Sequence, residues 1–156
     1  MIGDGMMIRL AVIGTNWITD QFIEAALKTE QYLLAGVYSR SIEKAKEFAE
    51  KYASPTLFDD FDKLATSKSI DVVYIASPNS LHAPQALKLL EAGKHVICEK
   101  PLAANDKLAQ QMYQTALAND VVLFEAFMSP HTPNFKLLKE QSLSLIHISE
   151  PTRRYE

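Results

Sequence analysis

The sequence has little cysteine, no long apolar run and no excess of positive charge. Its one cysteine excludes an internal disulfide and fits a reducing compartment, so we expect a cytoplasmic protein. No apolar run approaches the roughly 20 residues of a membrane span, and the N-terminus lacks the basic and apolar regions of a signal peptide. Lysine and arginine number 16 against 19 acidic residues, which argues against nucleic acid as a partner. These absences, with an ordinary share of apolar and charged residues, favour a soluble globular protein.

Short apolar runs alternate with segments of helical period along the chain. The runs are almost continuously apolar, which is typical of strands buried on both faces of a parallel sheet. They occupy residues 8–13, 33–38, 72–76, 96–98 and 121–124, with a weaker candidate at 56–58. Gly93 stands where one helix should end, and Asn105 can cap the start of the next. The alternation predicts an α/β fold built on a doubly wound parallel sheet.

The turn after the first run contains part of a dinucleotide-binding fingerprint. The fingerprint G-x-G-x-x-G has three glycines, of which only the first, Gly14, is present. Asn16 tolerates positive φ better than most residues, and Thr19 would hold the following helix slightly off the strand. Amide groups at the helix start could still bind phosphates, and an ordinary strand-to-helix turn is the alternative. The candidate cofactor-binding residues in this turn are Gly14, Thr15, Asn16, Trp17 and Ile18.

The end of the second run lacks the acid that selects NAD. An acidic residue about 20 positions beyond the fingerprint usually binds the ribose 2′-hydroxyl, but Ser39 and Arg40 lie there instead. A hydroxyl and a guanidinium suit a 2′-phosphate, and Lys44 follows one helical turn later. The alternative is that Arg40 is a solvated loop charge. These residues predict NADP as the preferred cofactor, with NAD possible.

Two more loops complete a recognisable series. In chain order the segments are G-T-N-W-I-T, S-R, S-P-N-S-L-H, E-K-P and E-A-F. Their order and spacing resemble the Gfo/Idh/MocA family of NAD(P)-dependent oxidoreductases over about residues 8–140, with E-K-P as the strongest part. The resemblance implies a Rossmann NAD(P)-binding domain at residues 7–140. It also implies hydride transfer between a nicotinamide cofactor and a sugar, polyol or related carbonyl or alcohol.

The resemblance assigns roles by position. Lys100 is implied to be catalytic, near the nicotinamide and the reacting hydroxyl, and Glu99 would keep it oriented or charged. A partly desolvated lysine suits this chemistry, because alcohol oxidation releases a proton as well as a hydride. Glu125 would line the same site, and we expect a cis bond before Pro101. The loop along the nicotinamide side is implied to contain Ser77, Pro78, Asn79 and His82.

Several histidines and the cysteine have simpler explanations. His82 could be a helix-capping residue without a catalytic part, and His95 opens a strand. Cys98 is expected to be a small buried apolar side chain. His131 and His147 show no metal-ligand spacing, so we expect no metal.

The end of the sequence departs from the family. In the family, a second α/β domain follows the cofactor domain. That domain binds substrate, adds an aspartate and a histidine to the site and forms most of the oligomer interface. The full-length enzyme is therefore expected to be a homo-oligomer. Residues 141–156 are similar to translated sequencing-adapter text and are expected to be a non-native tail; the alternative is a genuine tail with an edge strand at 142–148. Two functions remain open: the cofactor domain of an oxidoreductase, or a nucleotide-binding fragment without catalytic activity.

Overall fold

The computed structural model describes residues 7–53, 55–128 and 132–146. These residues form two units, one ending at Ala126 and the other beginning at Phe127. No helix in these ranges is both long and apolar enough to cross a bilayer. The elements are β1 Ile8–Ile13, α1 Trp17–Lys28, β2 Tyr32–Tyr38, α2 Ile42–Ala49, β3 Thr56–Phe58, α3 Phe61–Thr66, β4 Val72–Ile75, α4 Asn79–Glu91, β5 His95–Glu99, α5 Asp106–Ala118, β6 Leu123–Ala126 and α6 Pro133–Ile146.

One parallel sheet organises the first unit. Its strand order is β3-β2-β1-β4-β5-β6, and every neighbouring pair is parallel. The chain moves outward from β1 to β3 and then returns to the other side of β1. The carboxyl ends of β1 and β4 therefore meet at a topological switch point, where sheets of this kind bind ligands. The predicted doubly wound sheet is confirmed.

Apolar side chains cover both faces of this sheet. On one face, Ile23 of α1 and Phe48 of α2 pack with the buried residues Leu10, Val12 and Tyr74 of β1 and β4. The other face carries a second core, formed with buried residues of α3, α4 and α5. Burial on both sides explains why the strands are apolar without alternation.

The caps predicted from sequence are present. Gly93 has φ +75° and follows α4, and its amide and that of Lys94 donate to carbonyls of the last turn. The side chain of Asn105 accepts a hydrogen bond from Leu108 N–H at 2.9 Å and caps α5. Each cap satisfies backbone groups that a helix end would otherwise leave without partners.

The last strand begins two residues later than predicted, at Leu123 rather than residue 121. The chain leaves α5 through Asp120, whose φ is +53°, and Val122 N–H then donates to His95 Nδ1 at 3.0 Å. Pairing with β5 continues to Ala126. The strand therefore includes the charged Glu125, which lies beyond the apolar run used to predict it.

Two helices were not predicted. Asp60 caps the short α3, which buries Leu64 and Ala65 against the sheet. Helix α6 extends to Ile146, so the part of the alternative edge strand at 142–146 is helical. The remaining tail residues, 147–156, and His131 and His147 lie outside the described residues. The boundary at residue 140 stays a prediction.

The turn after β1 passes unusually close to the end of β4. Gly14 has φ +108°, and a Cβ atom placed on it would lie 2.6 Å from the carbonyl oxygen of Ala76. The amide of Ala76 in turn donates to Ile13 O at 2.9 Å. Only glycine allows this approach, because it has no Cβ and tolerates positive φ.

Gly14→Ala is expected to destabilise the fold far more than Gly93→Ala. Both positions have positive φ, which costs an alanine about 1–2 kcal/mol, but Gly93 has no atom within 4 Å of its added Cβ. At Gly14 the backbone must also move, so we expect an additional loss of at least about 2 kcal/mol. Urea unfolding of both variants measures the difference. Equal losses would show that the contact with Ala76 does not constrain the turn.

Candidate cofactor-binding site

A cleft of about 270 Å³ opens at the switch point of the sheet. Three loops form its walls, each at the carboxyl end of a strand. The lining residues are Ile13, Gly14, Thr15, Asn16, Tyr38, Ser39, Arg40, Lys44, Ala76, Ser77, Pro78, Leu81 and Gln85. The cleft therefore lies where the topology places a ligand site.

Asn16 organises the first wall. Its Oδ1 accepts hydrogen bonds from Ile18 N–H at 3.1 Å and Thr19 N–H at 3.2 Å, which caps α1. Its Nδ2 donates to Ala76 O at 3.2 Å. Its own φ is −106°, so the turn does not use the positive φ that asparagine tolerates. Asn16 thus replaces the second glycine of the fingerprint with a side chain that ties the turn to β4.

The second wall carries free positive charge. Arg40 and Lys44 are exposed, and among the described residues neither side chain pairs with a carboxylate. Ser39 N–H donates to Phe58 O at 3.0 Å, and Ser41 caps α2 through Lys44 N–H. This arrangement presents two cations and the Ser39 hydroxyl at the end of β2, a combination that suits a phosphate.

The third wall follows β4. Ser77 Oγ donates to Gln85 Oε1 at 2.6 Å, which fixes the loop against α4. Pro78 and Leu81 add apolar surface to the cleft. Five residues line the cleft without having been predicted as site residues: Ile13, Tyr38, Ala76, Leu81 and Gln85. The sequence offers no chemical signal to separate such lining residues from ordinary residues of a strand or helix.

Glu99 is held by a buried tyrosine. Tyr74 O–H donates to Glu99 Oε1 at 2.6 Å, and its ring stacks on Phe22 of α1 at 3.7 Å between centroids. Burial, and then the bond to Glu99, raise the pKa of Tyr74, so the hydroxyl keeps its proton and donates. The other carboxylate oxygen accepts from Lys100 N–H at 3.3 Å. Glu99 therefore contacts the backbone of Lys100, whose side chain is exposed.

The loop after Lys100 is fixed from two further directions. The predicted cis bond between Lys100 and Pro101 is confirmed. Glu125 Oε1, at the end of β6, accepts from Leu102 N–H at 2.8 Å. The ring of His82 contacts Pro101 O at 2.8 Å. Lys100 thus projects from a loop whose backbone contacts side chains of β5, β6 and α4.

Six of the predicted site residues do not line the cleft: Trp17, Ile18, Asn79, His82, Glu99 and Lys100. Trp17 is exposed at the start of α1, and Asn79 begins α4. His82 is buried, with 1% of its surface exposed, and both ring nitrogens contact backbone carbonyls. Their roles toward a cofactor stay predictions. The other eight predicted residues all line the cleft.

Cys98 and His95 are structural, as expected. Cys98 is fully buried in β5, and burial raises the pKa of its thiol to about 12. A thiol that stays protonated is a poor nucleophile. His95 lies at the amino end of β5, the end away from Glu99, and its Nδ1 accepts a hydrogen bond from Val122 N–H.

Comparison with known proteins gives consistent matches. Residues 8–127 match the Gfo/Idh/MocA oxidoreductase family, NAD-binding Rossmann fold. Over 134 residues the chain is 52% identical to scyllo-inositol 2-dehydrogenase (NADP(+)) IolU of Bacillus subtilis (strain 168), covering 86% of this chain and 41% of that protein. Identity and coverage are the same for YgjR, an uncharacterized oxidoreductase of Escherichia coli (strain K12). The chain thus spans about two fifths of the length of these curated relatives.

A solved structure extends the comparison to the fold. KijD10, a 3-ketoreductase from Actinomadura kijaniata crystallised with NADP, superposes with a TM-score of 0.80 at 29% identity. The match covers 89% of this chain and 43% of KijD10. The similarity therefore concerns the nucleotide-binding unit of a longer protein.

Asn16→Ala is expected to destabilise the chain more than Asn105→Ala does. Both residues cap a helix, and loss of such a cap costs about 1 kcal/mol. The side chain of Asn16 accepts two cap bonds and a bond from the Thr19 hydroxyl, and it donates to Ala76 O just after β4. The side chain of Asn105 accepts one cap bond. Chemical unfolding of both variants provides the comparison. An Asn16→Ala loss no greater than that of Asn105→Ala would contradict the role of the tie to Ala76.

Proposed function

Because this chain belongs to the Gfo/Idh/MocA oxidoreductase family, we propose that it is the NADP-preferring cofactor domain of a dehydrogenase or reductase. Its substrates would be sugars, polyols or related carbonyl and alcohol compounds. The single observation that carries the proposal is a pair of cations at the cleft, Arg40 and Lys44, which pair with no carboxylate among the described residues. The names of the relatives, an inositol dehydrogenase and a 3-ketoreductase, support the substrate class.

The cleft suits a dinucleotide on physical grounds. Gly14, Thr15 and Asn16 line the cleft beside the start of α1, and the N-terminus of a helix favours negative charge. Gly14, Thr15 and Asn16 would hold the diphosphate. Ser39 and Arg40, with Lys44, would hold the 2′-phosphate of the adenosine ribose. The Ser77–Pro78 wall would lie along the rest of the cofactor.

The residues near Lys100 suit proton transfer. The cofactor would accept or supply the hydride, and the substrate oxygen must lose or gain a proton in the same reaction. Lys100 is exposed on a fixed loop, so its ammonium group is available to a substrate oxygen. Lys100 would then be the catalytic acid or base. Glu99, bound to Tyr74, would hold the backbone from which the lysine projects.

A second candidate function is nucleotide binding without turnover by this chain alone. It is supported by the lining of the cleft, which includes candidate nucleotide-binding residues but not Lys100. Joining residues 1–140 to the remaining part of the Bacillus subtilis relative and assaying the hybrid with NADPH and candidate sugars separates the two functions. Turnover supports the oxidoreductase, and NADPH binding without turnover supports the second candidate. We also propose a cytoplasmic location, which the single buried cysteine supports, and a homo-oligomeric full-length enzyme.

NADPH is expected to bind the chain more tightly than NADH, and Arg40→Ala is expected to remove most of the difference. A charge-assisted contact of about 1.5–3 kcal/mol corresponds to roughly tenfold to a hundredfold in affinity. Titration of the unmodified chain and of the Arg40→Ala variant with NADPH and with NADH measures the ratio of the two affinities. Lys46→Ala, an exposed lysine of α2 outside the cleft, controls for net charge. Equal affinities in the unmodified chain would reject the preference.

Lys100→Ala is expected to reduce turnover much more than NADPH binding. The measurement needs a substrate domain, so residues 1–140 would replace the matching part of the Bacillus subtilis relative. Loss of acid–base assistance is expected to lower kcat by about 10²- to 10⁴-fold. NADPH affinity is expected to change little, because Lys100 does not line the cleft. Near-normal turnover in the variant would exclude Lys100 from the mechanism.

A further inference from the structure

His82 joins two loops of the site through one ring. It lies in the first turn of α4, and only 1% of its surface is exposed. Nδ1 contacts the carbonyl oxygen of Pro101 at 2.8 Å, and Nε2 contacts that of Ser77 at 2.9 Å. These distances leave no room for a water between ring and carbonyl, so both contacts are direct.

The two carbonyls belong to the parts of the site that must be aligned. Ser77 lies in the third wall of the cleft, immediately after β4. Pro101 directly follows Lys100, after β5. Because the imidazole ring is rigid, it fixes the separation between these two loops. The bond from Leu102 N–H to Glu125 holds the same loop from β6.

The number of protons on the His82 ring determines how many of the two carbonyl oxygens it can hydrogen-bond. A carbonyl oxygen only accepts hydrogen bonds, so each contact requires an N–H on the ring. The imidazolium has two N–H groups and secures both loops. The neutral ring has one, and it secures either the Ser77 loop or the Pro101 loop.

We propose that His82 is a positioning residue that aligns the Lys100 loop with the Ser77 wall of the cofactor cleft. It acts through the backbone of Ser77 and Pro101, and it touches neither cofactor nor substrate because its ring is buried. Its effect on the cofactor rests on the proposed function, whereas its effect on the Pro101 loop does not.

The test compares His82→Leu with His95→Leu in the complete 156-residue chain. Each variant removes an imidazole ring that contacts backbone: the ring of His82 is buried and that of His95 is partly buried. His95 contacts Val122 N–H at the amino end of β5 and does not line the cleft. His82→Leu is expected to bind NADPH about fivefold or more weakly, the equivalent of one hydrogen bond, and His95→Leu within about twofold of the unmodified chain. Hydrogen exchange is expected to accelerate at the Leu102 amide only in His82→Leu.

The outcomes separate this proposal from the cofactor assignment. Failure of the unmodified chain to bind NADPH would reject the proposed function, while exchange at Leu102 would still test the loop alignment. The proposal is overturned if His82→Leu matches the unmodified chain in both measurements, or if His95→Leu changes them equally.

A second variant and a direct measurement cover the case in which His82→Leu does not fold. His82→Gln keeps a side-chain N–H donor and is expected to give intermediate NADPH affinity and intermediate exchange at Leu102. In the unmodified chain, an NMR coupling across a hydrogen bond is expected from a His82 ring nitrogen to the carbonyl carbon of Ser77 or of Pro101, and to both carbons when the ring carries two protons. Absence of both couplings would also overturn the proposal.

Discussion

The close approach of the first turn to the end of β4 is the constraint on which the site depends. Gly14 lies against Ala76 O, Ala76 N–H donates to Ile13 O, and Asn16 donates to the same Ala76 carbonyl. These contacts bring two crossover connections together at the point where the strand order reverses. The cleft is the space that remains between them, so its first and third walls share one set of backbone contacts.

Most of the fold could be predicted because burial on both faces leaves a clear pattern. Five apolar runs and one weak one correspond to the six strands, since a parallel strand covered by helices has no polar side. The ends of β5 and β6 were the exceptions, because each strand continues past its apolar run to include a glutamate, Glu99 or Glu125. Helix α3 was missed because its six residues bury only Leu64 and Ala65, too few to show a helical period.

The site was predictable where loop position alone determines the chemistry. Ser39, Arg40 and Lys44 follow β2 and line the cleft, as their spacing from the end of the fingerprint indicated. Asn16 was predicted as a substitute for glycine through its backbone, whereas it acts through its side chain. The tertiary partners of Glu99 and His82 could not be predicted. Tyr74 lies 25 residues from Glu99, and Pro101 lies 19 residues from His82, and no local pattern specifies such pairs.

The exposed position of Trp17 has an optical consequence. It is the one tryptophan of the chain, 68% of its surface is exposed, and it begins α1 directly after the Gly14 turn. Indole emission from this protein therefore has a single origin, a few residues from Gly14. Reduced nicotinamide absorbs light in the range in which indole emits. A reduced dinucleotide in the neighbouring cleft would quench that emission by energy transfer. The fluorescence of Trp17 would therefore report directly whether the cleft is occupied.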